Sequence, residues 1–162
     1  MPKWYSKEEA LAKLQHFCAY QDRCHQEVRQ KLMDMGVYPD WREEIITELI
    51  QDNFLNEERF AQSFARGKFR MKQWGRQRIA RELKQRQISD YCIKKGMAEI
   101  SEPDYQQALR ELLEKKDRQL QESDPWARKA KLVRYALSKG FESQLTWPAV
   151  HQLVDSGAEG NS

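Results

Sequence analysis

Apolar residues recur along this chain at intervals of three and four and are interrupted at short spacings by cap residues and glycines, the periodicity of short amphipathic helices. Ser6-Lys7-Glu8-Glu9 has the form of a capping box, in which the hydroxyl and a carboxylate each satisfy an orphan helix amide. The first helix therefore starts there, with Leu11, Leu14, Phe17 and Cys18 on its apolar side. A second is predicted from about Gln26 to Met35, stopping at Gly36, the residue type that best tolerates the left-handed cap conformation. A third follows Pro39-Asp40, with Trp41, Ile45, Ile46, Leu49 and Ile50 inward. Asn56 caps a fourth, with Glu57 and Glu58 in its first turn, where the helix dipole favours acids. Phe60, Phe64, Gly67 and Met71 form its expected core stripe, and Gly75 separates it from a short fifth helix carrying Ile79, Ala80 and Leu83. Ser101-Glu102-Pro103-Asp104 opens a helix with Tyr105, Leu109, Leu112 and Leu113 facing in, and Asp124-Pro125 opens the next.

The pattern repeats. With Gly36-Val37 as register, Val28, Leu32 and Val37 align without a gap on Ile79, Leu83 and Ile88. Val28, Gly36, Val37, Ile46, Leu49 and Ile50 align in the last third on Leu132, Gly140, Phe141, Val150, Leu153 and Val154. A three-helix unit recurring about every 50 residues is at the long end of helical repeats, and each unit is too small to bury its own faces well. The expected fold is all-α: tandem three-helix, helix-turn-helix-like repeats over 1–55, 56–101 and 102–154, forming an elongated, curved array. The segment 155–162 has no large apolar side chain and is expected to be a disordered tail.

Composition fits many small helical modules, with 33% charged and 40% hydrophobic residues and only 7 Gly and 5 Pro in 162. The N-terminal residues run into charge instead of an apolar core, which predicts no secretory signal, and no apolar run approaches a membrane span. Cys18, Cys24 and Cys92 are odd in number and irregularly placed, which suits free thiols in a reducing cytoplasm.

Charge changes the picture. Between Arg66 and Arg86 nine basic residues (Arg66, Lys68, Arg70, Lys72, Arg76, Arg78, Arg81, Lys84 and Arg86) face one acid, Glu82. This net +8 exceeds the whole chain's +3, because residues 1–65 carry 8 basic against 12 acidic and residues 87–162 carry 11 against 12. Six of the nine are Arg, whose planar fork suits bidentate phosphate contacts. At 100° per residue Arg59, Arg66 and Arg70 share one side of the fourth helix, Lys68 and Lys72 flank the Phe60/Phe64 stripe, and Arg78, Arg81 and Lys84 cover an arc opposite Ile79 and Leu83. A merely solvated helix face normally mixes signs, and this one does not. The middle repeat is thus expected to meet a polyanion through Arg66, Arg70, Lys72, Arg76, Arg78, Arg81 and Lys84. Trp74, in the middle of the block, either stacks on bases or closes the gap between two helices.

Catalytic patterns are missing: there is no phosphate-cradling glycine loop, no nucleophile elbow and no H-E-x-x-H pair. Cys18, Cys24 and His25 lack a fourth ligand and a zinc-like spacing. The expectation is a protein that is not an enzyme and takes no metal or cofactor.

The run Phe54-Leu55-Asn56-Glu57-Glu58-Arg59-Phe60-Ala61-Gln62-Ser63-Phe64, followed by Gly75-Arg76-Gln77-Arg78-Ile79-Ala80-Arg81-Glu82-Leu83 and the turn Gln87-Ile88-Ser89, resembles the RecX family. Glu27 to Gly36 and Lys131 to Phe141 also look like that family's repeats, so that the likeness extends over about 8–154. Three positions depart from its pattern. Asn56 stands in place of the usual Asp, Cys24 where a Ser or Thr cap is expected before Glu27, and Gln87 in place of a frequent Gly. The resemblance implies a cytoplasmic, non-enzymatic regulator that binds the RecA protein and the RecA–DNA filament and limits filament growth, ATP hydrolysis and strand exchange. It also implies weak, non-specific contact with single- or double-stranded DNA, and no membrane. A monomer is expected. The alternative is a stand-alone non-specific DNA-binding helical module, which Gln77 and Gln85 on the outer arc of the fifth helix would serve as base readers.

Overall fold

The computed structural model describes residues 4–159, and among them it contains nine α-helices and no strand. In chain order they are α1 (Lys7–Tyr20), α2 (His25–Asp34), α3 (Pro39–Gln51), α4 (Glu57–Lys72), α5 (Arg76–Gln85), α6 (Asp90–Met97), α7 (Glu102–Gln119), α8 (Pro125–Ser138) and α9 (Ser143–Glu159). They form three sets of three, the tandem helical array expected from the periodicity.

Their boundaries follow from local chemistry. The Ser6 hydroxyl accepts from the Glu9 amide at 3.1 Å, Ser101 from Asp104 at 3.2 Å, Asp124 from Ala127 at 2.8 Å, and the Asn56 side chain from Arg59 at 3.0 Å. Cys24 gives α2 no such bond, but the Glu57 carboxylate of α4 accepts from the His25 amide at 3.1 Å, so the weak start is capped from elsewhere in the chain. The middle helix of each set ends identically. Val37, Ile88 and Phe141 donate back to Leu32, Leu83 and Ala136, while Gly36, Gln87 and Gly140 donate to Met33, Lys84 and Leu137. These paired bonds define a Schellman cap, and it places Gly36, Gln87 and Gly140 at φ of 71°, 61° and 100°. The register aligned in the sequence is therefore the register of the backbone.

Contacts divide the chain into two compact units that cut across the repeats. The first comprises residues up to Ser63 together with Leu83–Gly96, and the second Phe64–Glu82 together with residues from Met97 on. Leu14, Val28, Leu32, Ile45 and Leu49 centre the first core. Asp22, after α1, ties this unit to the start of α4 by accepting from Arg59 at 2.6 Å and from Ser63 at 2.7 Å. Gly96 admits the α4 backbone closely, since a Cβ there would lie 2.7 Å from the Ala61 carbonyl oxygen. The second unit is centred on Tyr105, Leu109, Leu113, Leu132, Phe141 and Val150.

Three expectations change. Met71 is 82% exposed and Ile50 43% exposed, because both lie in the last turn of a helix, where the apolar period continues beyond the surface that packs. The tail expected from Asp155 is helical to Glu159, since extending an anchored helix costs far less than nucleating one. Residues 160–162 lie outside the described residues.

Gln87→Gly relieves a left-handed non-glycine residue and is expected to stabilise the fold by about 1 kcal/mol in chemical denaturation. Burial pushes the Cys18 and Cys24 thiols up to about 11, whereas Cys92 is only half-buried. Alkylation at pH 8 is expected to modify Cys92 in the native protein and the other two only after unfolding, which peptide mass mapping would read directly.

Candidate nucleic-acid interface

The candidate surface belongs to the second unit, where the end of α4, the turn 73–75 and the start of α5 meet α7 and the α8–α9 turn. A helix start leaves its first amides without partners, and here the third repeat supplies them. The Gly75 amide donates to the Lys139 carbonyl at 2.7 Å, the Gln77 amide to the Gly140 carbonyl at 3.0 Å, and the Arg76 amide to the Tyr105 hydroxyl at 3.0 Å. This approach requires glycine on both sides. A Cβ on Gly75 would lie 2.3 Å from the Gly140 carbonyl carbon, and one on Gly140 would lie 2.4 Å from the Arg78 Cβ.

Beside this junction Arg76 is enclosed. Its guanidinium stacks 3.8 Å from the Tyr105 ring centroid, donates to Glu142 at 3.1 Å, and forms a short bond to Glu102. Burial opposes its charge, but the bonds to Glu102 and Glu142 prevail and hold its pKa above the ordinary arginine value. The Tyr105 hydroxyl donates to Glu142 and is kept neutral well above the usual tyrosine range, chiefly by burial and then by that carboxylate. Its ring stacks on Phe141, with centroids 5.0 Å apart. Arg76 thus acts as a clamp within the protein, with its charge already matched.

The other candidates divide in the same way. Arg66 pairs with Glu99 at 3.1 Å. Arg59, placed beside it by helical geometry, is held by Asp22 and by the carbonyls of Asn53 and Phe54. Arg78 lies with its guanidinium 4.3 Å from the Trp74 ring centroid and 3.5 Å from the Ser138 carbonyl at the end of α8, where the helix dipole welcomes a cation. Lys84, at the end of α5, falls in the first unit, with its ammonium 3.8 Å from Asp90. Arg70, Lys72 and Arg81 are exposed and have no ion-pair partner among the described residues.

Trp74 packs edge-on against Phe64 at 6.3 Å and carries Lys68 and Arg78 at 5.0 and 4.3 Å from its centroid. The ring closes the gap between the two helices and orients two cations. Lys139 was not in the sequence-derived set, yet its ammonium reaches the Lys72 carbonyl at 3.4 Å. Its position next to Gly140, in register with Gly36, was the available signal. The surface thus presents Lys68, Arg70, Lys72, Arg78, Arg81 and Lys139 to solvent or to neutral partners, and it matches Arg66 and Arg76 internally. Phosphate oxygens suit the first set, and the second holds the helices that carry it.

The family descriptions "RecX, second three-helix domain" and "RecX, third three-helix domain" match residues 56–97 and 103–150, together more than half of the chain. A "Regulatory protein RecX" of Clostridium perfringens is 29% identical over 136 residues, 83% of this chain and 63% of that protein. One of Lactobacillus johnsonii is 26% identical over 144 residues, 89% of this chain and 53% of the other. The chain therefore spans about half to three-fifths of the length of these curated relatives. The crystal structure of RecX from Lactobacillus salivarius superposes with a TM-score of 0.80 at 21% identity, covering 92% of this chain and 96% of that one. A second crystal structure, of a regulatory protein RecX, gives 0.79 at 19%, covering 93% and 71%. These relatives bear the names of regulators, and no helix among the described residues is long and apolar enough to cross a membrane.

Arg76→Ala leaves Glu142 half-buried without its cation and uncovers Tyr105, so it is expected to destabilise the protein by about 1–3 kcal/mol. Arg81→Ala should stay within about 0.5 kcal/mol. Parallel urea melts would separate the clamp from the free surface, and equal losses for the two variants would refute the division.

Proposed function

The chain belongs to the RecX family of regulatory proteins, and from that premise we propose that it is a cytoplasmic, non-catalytic modulator of RecA recombinase. It binds RecA and the RecA–DNA filament and limits filament growth, ATP hydrolysis and strand exchange. The observation that carries this reading is the second unit's surface, where Arg70, Lys72 and Arg81 stand exposed, with no ion-pair partner among the described residues, beside an internally matched clamp. Uncompensated arginines fixed on two rigid helices suit a phosphate backbone that another protein already presents in ordered form, because the helices give up little freedom on binding.

On this reading the polyanion is DNA wrapped in recombinase, and the middle repeat adds electrostatic contact to a protein–protein docking. Direct binding to naked DNA is weak, non-specific and salt-dependent. Exposed Gln77 and Gln85 on α5 favour the second reading, a stand-alone DNA-binding module in which amide side chains read base edges.

Titrating the protein into a RecA–single-strand DNA ATPase assay tests the first reading, which expects dose-dependent inhibition. Arg70→Glu combined with Arg81→Glu should raise the half-inhibitory concentration by roughly tenfold while leaving the circular dichroism and melting curve unchanged. Binding of the unaltered protein to naked DNA should fall linearly in log–log coordinates with salt, at a slope of about −0.9 per phosphate neutralised. Full inhibition by the double variant would remove the surface from the mechanism. A thousandfold sequence preference on naked DNA would establish the second reading instead.

A further inference from the structure

The first repeat carries a second cationic surface that its overall acidic balance conceals. Residues at positions 12, 13, 16, 17 and 20 share one face of α1 by helical spacing, and with Arg23 and Lys31 they line an open groove of about 430 Å³. The lining comprises Ala12, Lys13, His16, Phe17, Tyr20, Arg23 and Lys31, with no carboxylate. In a segment that holds 12 acids against 8 bases, this segregation is notable, because a solvated face mixes signs.

The groove is built around aromatic rings. The Arg23 guanidinium lies 3.6 Å from the Phe17 centroid, its Nε donates to the Phe17 carbonyl at 3.1 Å, and Glu27 holds its other edge at 3.7 Å. Lys31 reaches over the same ring at 5.6 Å. Phe17 is therefore a partly buried floor with cations fixed above it. Tyr20, one turn further along, is 79% exposed and makes no ring contact among the described residues. Lys13 and Lys31 are exposed as well and have no ion-pair partner among the described residues.

We propose that this groove on α1 and α2 binds single-stranded nucleic acid, with a base stacked on Tyr20 and the flanking phosphates met by Lys13 and Lys31, while Arg23, matched by Glu27, holds the Phe17 floor in place. A free, solvent-facing ring beside spaced cations is the arrangement that serves a strand of alternating bases and phosphates. An acidic peptide would use the cations but would leave the ring's open face without a planar partner. The site lies in the first unit and does not depend on the surface of the second.

The test uses the full chain and a fluorescein-labelled oligodeoxythymidylate, followed by anisotropy at low salt, in the Arg70→Glu/Arg81→Glu background so that the second unit's surface contributes little. Tyr20→Ala is expected to weaken binding about tenfold, and Lys13→Glu with Lys31→Glu by more, while Tyr20→Phe retains it. Because these side chains are exposed, the melting temperature should not move. Irradiation of an oligonucleotide bearing 5-iodouracil on the unaltered protein should place the cross-link on Tyr20 or Phe17. Cross-links confined to the second unit, or Tyr20→Ala binding as tightly as its parent, would overturn the proposal. So would displacement of the strand by polyglutamate together with indifference to Tyr20→Ala, an outcome that assigns the groove to an acidic protein segment.

Discussion

The backbone-to-backbone approach at Gly75 and Gly140 governs where the basic face of the second unit lies. The last carbonyls at the end of α8 meet the first amides of α5, so the partial negative end of one helix satisfies the partial positive end of the other. The contact works only because neither residue carries a side chain. Tyr105 completes it: its hydroxyl accepts from the Arg76 amide and donates a hydrogen bond to Glu142, which also accepts from the Arg76 guanidinium. Helix α5 is thereby fixed at its start, and the outward residues further along it inherit a defined direction.

Fixing a cluster of like charges requires some of them to be spent on structure. Arg66 and Arg76 are matched by Glu99, Glu102 and Glu142, all contributed by the chain after the basic block. Arg78 is steadied by an aromatic face and a carbonyl, which leave its charge unmatched. What remains unmatched is a smaller set than the charge count implies.

The helices, their caps and the repeat register were legible in the sequence because they depend on residues within one or two turns of each other. Gly36 and Gly140 marked two of the three left-handed caps, and Ile88 marked the third even though Gln87 stands where glycine would be easier. The fate of individual charges was not legible, since Glu142 lies 66 positions from Arg76 and only folding brings them together. Met71 and Ile50 misled for the opposite reason: local periodicity continued where no neighbour was present to cover it. Lys139 was overlooked because it belongs to a repeat whose net charge is near neutral, and Trp74 could be assigned to packing only once its distances to Phe64, Lys68 and Arg78 were known.

The division of α4 and α5 between two compact units bears on how the protein is made. The first unit needs Leu83–Gly96 as well as the N-terminal three helices and the start of α4, and the stretch Phe64–Glu82 in between belongs to the other unit. During synthesis, which proceeds from the N-terminus, the first repeat must wait for the ribosome to release residue 96 before its unit is complete. The second unit then closes only when the chain has extended past Phe141, because the Gly75 and Gln77 amides lack their acceptors, and Arg76 lacks Glu142, until Lys139, Gly140 and Glu142 emerge. The basic helix is consequently among the last elements to acquire its final surroundings, although it lies near the middle of the chain.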